Sequence, residues 1–128
     1  MISHRKVRVL VIDDDVAVAD TLGMVLNSSG FETTVAYSGE SALELASKTV
    51  FDNVVTDVMM EPMNGIQAAL AISHIHPECQ VLLISGNEHT AHLLQEAIDA
   101  GHGFTIFAKP VHPTTILDHL RASSPPQD

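Results

Sequence analysis

Residues 7–15 read Val7-Arg8-Val9-Leu10-Val11-Ile12-Asp13-Asp14-Asp15, a short apolar run that stops abruptly at three acids. The run is rich in β-branched residues and hardly alternates with polar ones, which is typical of a parallel strand covered on both faces. In open parallel sheets, ligands bind beyond the carboxyl ends of the strands. The stretch therefore predicts an α/β fold and indicates the edge of the sheet at which its chemistry lies.

Working outward, the chain repeats this unit. Strand-like runs cover residues 53–56, 81–84 and 105–108, and a more mixed run over 31–36 reads as an edge strand. Apolar residues at helical spacing predict helices over residues 15–28, 38–48, 64–76, 87–100 and 113–122. In the first helix, the buried side is expected to carry Val18, Leu22, Val25 and Leu26. Five strand–helix units predict a parallel sheet with helices on both faces.

The length of 128 residues and the 45% hydrophobic content fit one compact domain. We expect an N-terminal lead over residues 1–6, the folded domain over 7–121, and a Ser/Pro-rich tail or linker start over 122–128. The chain has no apolar run near the roughly 20 residues that span a bilayer, and its start does not resemble a signal peptide. One cysteine, Cys79, excludes an internal disulfide. These features predict a cytoplasmic protein without membrane contact.

The charge balance is strongly acidic, with 6 basic against 16 acidic residues and a net charge of −10. Such a chain repels nucleic acid phosphates on average, so we do not expect this domain to bind nucleic acid directly. An acidic surface does suit a basic partner or a bound cation.

The candidate reactive groups follow the apolar runs, so they should all lie at one edge of the sheet. They are the acids Asp13, Asp14 and Asp57, then Ser85 with Gly86, and finally Lys109 before Pro110. Two carboxylates about 4 Å apart repel by roughly 4 kcal/mol at an effective dielectric near 20, so three of them need counter-ions. One lysine and a hard divalent cation would supply these, and oxygen-only ligands favour Mg²⁺. An aspartate between a metal and such donors can accept phosphate.

The ordered set is similar to the receiver domain of two-component response regulators. The likeness rests on the first acidic pair, on Asp57-Val58-Met59-Met60-Glu61-Pro62-Met63-Asn64-Gly65, on a serine after strand four and on Lys109-Pro110. It covers about residues 7–121. The resemblance implies a flavodoxin-like (βα)₅ fold with strand order 2-1-3-4-5.

The resemblance also implies roles for single residues. Asp57 would be the phosphoacceptor and a Mg²⁺ ligand, Asp13 and Asp14 would organise the metal with Asp14 a direct ligand, and the backbone carbonyl of Met59 would complete the set. Ser85 would be the switch hydroxyl and Lys109 the phosphate-binding lysine. The domain would take its phosphoryl group from a histidine kinase or histidine phosphotransfer protein. It would then signal to a downstream protein or attached output region through helix four, strand five and helix five.

Three positions depart from the family pattern. Glu61 stands where proline usually follows the second methionine, which brings one more acid near the metal. Ile106 stands where an aromatic residue usually swings with activation. Gly86 follows the serine where alanine is common, and we expect no consequence from this change.

Two other functions remain open on the sequence. A degenerate receiver would act only as a protein-binding module. A haloacid-dehalogenase-like phosphatase would use Asp13 as nucleophile and Asp15 as acid/base, but it needs a late acidic cluster, and only Asp118 follows Lys109 before the tail.

The first helix presents an unusual number of apolar residues at the positions expected to face outward, which are Val16, Ala17, Ala19, Gly23 and Met24. Scattered surface apolarity explains them. The alternative hypothesis is a docking patch for the helices of the phosphodonor, which the resemblance places near this helix.

Overall fold

The computed structural model describes residues 5–86, 95 and 104–123. Five strands form one sheet: β1 (Arg8–Ile12), β2 (Glu32–Ala36), β3 (Asn53–Asp57), β4 (Gln80–Ser85) and β5 (Thr105–Ala108). Every neighbouring pair is parallel, and the strands lie in the order β2-β1-β3-β4-β5. The predicted α/β class and the strand order 2-1-3-4-5 are therefore confirmed.

Within the described residues, four helices connect or follow the strands: α1 (Val16–Ser28), α2 (Gly39–Lys48), α3 (Gly65–Ile75) and a last helix (Pro113–Ser123). Asp15, Ser38 and Asn64 each cap one of the first three, because their side chains accept a backbone N–H from the first turn. The helix predicted over residues 87–100 lies outside the described residues, apart from Gln95, which is helical.

The core has two layers, one on each face of the sheet. Leu10 and Ile12 of β1 point to the layer beneath α2 and α3, whereas Val9 and Val11 point to the layer beneath α1 and the last helix. All four side chains are almost fully buried. The continuous apolar pattern of β1 thus follows from a strand that has helices on both sides.

The spacing predicted the buried side of α1 only in part, since Leu22 and Leu26 are buried as expected. Ala19 and Gly23, expected to face outward, are buried against the sheet, and Val18, expected to face inward, is 50% exposed. Gly23 permits this approach, because a Cβ there would lie 2.8 Å from Cγ2 of Val35 on β2. Small residues therefore set the rotation of α1, since they let its backbone approach the sheet.

At the edge of the sheet where the strands begin, the carboxylate of Asp52 binds Arg5 and the backbone of Arg8. The guanidinium of Arg5 donates to both oxygens of Asp52 at 2.7 Å, and the backbone amide of Arg8 donates to the same carboxylate at 2.8 Å. The hydrogen bond from Arg5 is the main reason why the pKa of Asp52 lies below its usual range. Nearby, burial raises the pKa of the Cys79 thiol to about 12.

Candidate functional site

The end of β1 positions two of the three clustered acids. The backbone amide of Asp13 continues the sheet by donating to the carbonyl of Ala36 at 3.1 Å, and its buried carboxylate accepts the amide of Asp15 at 3.0 Å. Asp14 is exposed. Asp15 does not join the cluster but caps α1, with its carboxylate 3.2 Å from the amide of Val18.

Asp57 is the last residue of β3, next to β1, and is only 7% exposed. Its backbone is held closely by the start of α3. A Cβ on Gly65 would lie 2.0 Å from the carbonyl oxygen of Asp57, so only glycine fits there. The amide of Gly65 donates to the carbonyl of Val58 at 2.9 Å. The sequence analysis gave Gly65 no role, although a glycine directly after a capping asparagine was the available signal.

The three acids converge. One carboxylate oxygen from each of Asp13, Asp14 and Asp57 lies within 4.8 Å of the other two. Burial is the main reason why the pKa of Asp13 lies above its usual value, and the hydrogen bond from Asp15 opposes it. The fold thus holds three negative groups together at a cost that a cation would remove.

Lys109 supplies one positive charge to this cluster. Its Nζ lies 3.0 Å from Oδ1 of Asp57, while its backbone amide donates to the carbonyl of Ser85 at 2.9 Å. The ammonium contacts Oδ1 as an ion pair without the angles of a hydrogen bond, and Oδ1 is a buried oxygen that accepts none from the described residues. A buried carboxylate oxygen with spare lone pairs, beside two more carboxylates, fits a hard cation such as Mg²⁺.

Three further positions named in the sequence analysis, Ser85, Met59 and Glu61, lie at the end of β4 and in the loop after β3. Ser85 ends β4, the neighbour of β3, and so lies at the same edge of the sheet as Asp57. Met59 is 47% exposed in the loop after β3, and Glu61 is exposed further along that loop.

Gly86 lies close to the side chain of Lys109, and our expectation that this departure has no consequence stays a prediction. A Cβ at position 86 would lie 2.9 Å from Cδ of Lys109 and 3.2 Å from its Cβ. In this chain the lysine stem occupies space that an alanine methyl group would need. The sequence could not reveal this contact, because it depends on the direction of a side chain 23 positions away.

Ile106 on β5 occupies the position where the family pattern has an aromatic residue. Ile106 is 38% exposed. The two nearby phenylalanines pack elsewhere: Phe104 contacts the core beneath α2 and α3, and Phe107 contacts the core beneath α1 and the last helix. The ring of Phe107 meets His119 edge-on, with centroids 5.3 Å apart. The exposed position three residues before Lys109 is therefore aliphatic.

A recess that the sequence analysis did not anticipate adjoins the acids. It has a volume of about 450 Å³ and lies between the sheet, α1 and the segment from Lys109 to the last helix. Its walls are largely apolar, and Asp13, Asp57 and Lys109 line one part of it.

Comparison with known proteins identifies the family. The sequence model of the response regulator receiver domain matches residues 9–121. This chain belongs to that family. The receiver domain is 34% identical over 114 residues to the response regulator receiver protein Anae109_2439 of Anaeromyxobacter sp. strain Fw109-5, covering 87% of this chain and 46% of that protein. It is 29% identical to the transcriptional regulatory protein GlrR of Escherichia coli K12, covering 98% of this chain and 29% of GlrR. The receiver domain thus spans less than half the length of either relative.

Solved structures show the same fold. The chemotaxis protein CheY4 of Vibrio cholerae superposes with a TM-score of 0.82 at 25% identity, covering 94% of this chain and all of CheY4. A CheY-like receiver domain from Methanospirillum hungatei gives a TM-score of 0.84 at 21% identity, covering 92% and 93% of the two chains. Among the described residues, no helix is both long and apolar enough to cross a membrane.

Proposed function

We propose that this receiver domain accepts a phosphoryl group on Asp57 in a Mg²⁺-dependent reaction. The observation that carries the proposal is the meeting of three carboxylates within 4.8 Å with an ammonium 3.0 Å from Asp57. A carboxylate oxygen of Asp57 would bond to phosphorus as the P–N bond of a phosphohistidine breaks, and the imidazole would leave with the bonding pair.

The residues around Asp57 would stabilise different oxygens of the transferred phosphoryl group. Asp13, Asp14, Asp57 and the carbonyl of Met59 would hold Mg²⁺, which when bound neutralises the acids and a phosphoryl oxygen. Lys109, already directed at Asp57, would pair with a second oxygen, and the hydroxyl of Ser85 would donate to a third. The domain is on this proposal a switch that assists its own phosphorylation and is not a conventional enzyme.

Phosphorylation would add a charge of about −1.5 to −2 beside Lys109 and Ser85. Because Lys109 follows β5 and its amide bonds to the end of β4, a shift of the lysine would be transmitted to β5 and the last helix. We propose that this face meets a downstream protein or an attached output region. The donor would be a histidine kinase or phosphotransfer protein of the cytoplasm.

The test is phosphorylation by acetyl phosphate, followed by intact mass. We expect a gain of one phosphoryl group that needs Mg²⁺, disappears in Asp57→Asn and persists in Asp118→Asn, an exposed acid on the last helix. No gain in the wild-type protein would indicate a degenerate receiver that only binds proteins. Continuous phosphate release that depends on Asp13 and survives Asp57→Asn would indicate a phosphatase.

The exposed apolar residues of α1 suggest where the donor binds. Val16, Val18 and Met24 are 53%, 50% and 69% exposed, whereas Ala19 and Gly23 of the predicted patch are buried and cannot contribute. We expect glutamate at positions 16 and 24 to slow transfer from a kinase and to leave acetyl phosphate labelling unchanged. Equal loss with both donors would contradict a docking role.

A further inference from the structure

The recess beside the acids has the form of a small-molecule site. Its volume of about 450 Å³ falls within the roughly 300–1,000 Å³ of typical ligand pockets. Its apolar lining comes from three strands, α1, the segment after β5 and the last helix, and includes Val11, Leu22, Val55, Ile84, Val111 and Ile116. The half-exposed Val18 and the fully buried Ala19 of α1 also line it.

The polar part of the recess carries an excess of negative charge. Asp13 and Asp57 line it and are 8% and 7% exposed, and Lys109 is the one cationic side chain among the described residues that line it. Asp14 adds a third carboxylate within 4.8 Å. Among the described residues, three acids and one ammonium leave an excess of two negative charges. The buried Oδ1 of Asp57 lies 3.0 Å from Nζ of Lys109 and accepts no hydrogen bond from the described residues.

We propose that this recess binds a small apolar amine, with its ammonium group at Asp13 and Asp57 and its hydrocarbon body among the valine, leucine and isoleucine side chains. An ammonium has three donors and no acceptor, which matches carboxylate oxygens with free lone pairs. An anionic ligand would be repelled by the excess negative charge. A neutral ligand would bury its apolar body but leave that charge without a counter-ion.

The amine and Mg²⁺ would exclude each other, because both need the carboxylates of Asp13 and Asp57. The recess would therefore allow apolar amines to oppose the metal-bound state. This inference concerns binding alone and does not require that Asp57 be phosphorylated.

The experiment uses the whole chain with 2-phenylethylammonium as the probe, and 2-phenylethanol as its neutral isostere. Binding is followed by methyl NMR without Mg²⁺ and without any phosphodonor. We expect saturable shifts of the methyl groups of Val55, Ile84 and Ile116, and at least tenfold weaker binding of the alcohol. Adding Mg²⁺ should weaken binding of the amine at least tenfold.

Ala19→Leu is the matched variant, since Ala19 lines the recess and the change adds side-chain volume there while all three acids are kept. It should weaken binding of the amine at least tenfold and keep the Mg²⁺-dependent rise in melting temperature. Should it not fold, Val18→Phe adds volume to the lining from a half-exposed position and should give the same loss. Equal binding of alcohol and amine, unchanged binding in the filled variant, or indifference of amine binding to Mg²⁺ in a protein that Mg²⁺ stabilises would each overturn the inference. Failure of Mg²⁺ alone to stabilise the protein would instead count against the proposed function.

Discussion

Replacing Asp13 with asparagine should stabilise the metal-free protein, although it removes a proposed metal-organising residue. Asparagine keeps the oxygen that accepts the amide of Asp15 at 3.0 Å, so the local hydrogen bond survives. What disappears is a buried negative charge whose oxygen lies within 4.8 Å of those of Asp14 and Asp57.

The magnitude follows from these distances. At 4.8 Å and an effective dielectric near 20, the pair with buried Asp57 repels by about 3.5 kcal/mol. The pair with exposed Asp14 is screened by water and repels by about 1 kcal/mol. Lost attraction to Lys109 offsets part of this sum. We therefore expect a net gain near 2 kcal/mol, which for a domain of this size raises the melting temperature by roughly 6–10 °C.

The sign of the stability difference between Asp13→Asn and the wild type should depend on Mg²⁺ and on pH. In EDTA at pH 7, Asp13→Asn should melt above the wild type. With Mg²⁺ the difference should shrink or reverse, because the metal stabilises the intact cluster more. The raised pKa of Asp13 means that its charge destabilises the fold as pH rises through the folded pKa. The advantage of the variant should therefore vanish at low pH, where this carboxyl is protonated in both the folded and the unfolded states.

Calorimetry in EDTA and in Mg²⁺ checks both signs, with Asp118→Asn as an exposed control that should stay within about 0.5 kcal/mol of the wild type. A lower melting temperature for Asp13→Asn in EDTA would refute the reasoning, since it would mean that the carboxylate stabilises the apo fold.

Two further substitutions test the scaffold. Gly65→Ala should lower the free energy of unfolding by about 2–3 kcal/mol, because its Cβ meets the backbone oxygen of Asp57; Gly39→Ala, which meets only a flexible methionine, should lose less in the same urea titration. Asp52→Ala removes the ion pair with Arg5 and should cost about 1–3 kcal/mol at pH 7. Because the pKa of Asp52 is lowered on folding, this cost should shrink as pH falls below the ordinary carboxyl range, and a constant cost at pH 3 would contradict the assignment.

The sequence predicted most of the fold because its strands end sharply. The change from Ile12 to Asp13 defines the carboxyl edge of β1, and the same reasoning located Asp57 and Lys109 at that edge, where the structure brings them within 3.0 Å. The family match confirms the receiver assignment.

The rotation of α1 could not be predicted, because apolar residues occur on nearly every side of this helix. The spacing rule favoured Val18 for the buried face, but the sheet selected Ala19 and Gly23. Small residues allow a helix to pack closely against a sheet. Whether this close packing is favourable depends on the surface of the sheet, which cannot be read from the sequence of the helix. The recess could not be predicted from the sequence for the same reason, because its volume depends on the spacing between α1 and the last helix.

The half-buried thiol of Cys79 has a practical consequence for labelling this protein. Burial raises the pKa of Cys79 to about 12, so its reactive thiolate form is scarce at neutral pH. A cysteine introduced at an exposed position such as Met24 would react with a maleimide dye far faster. The natural chain, which lacks tryptophan, can thus carry a single fluorophore without prior removal of its own sulfhydryl.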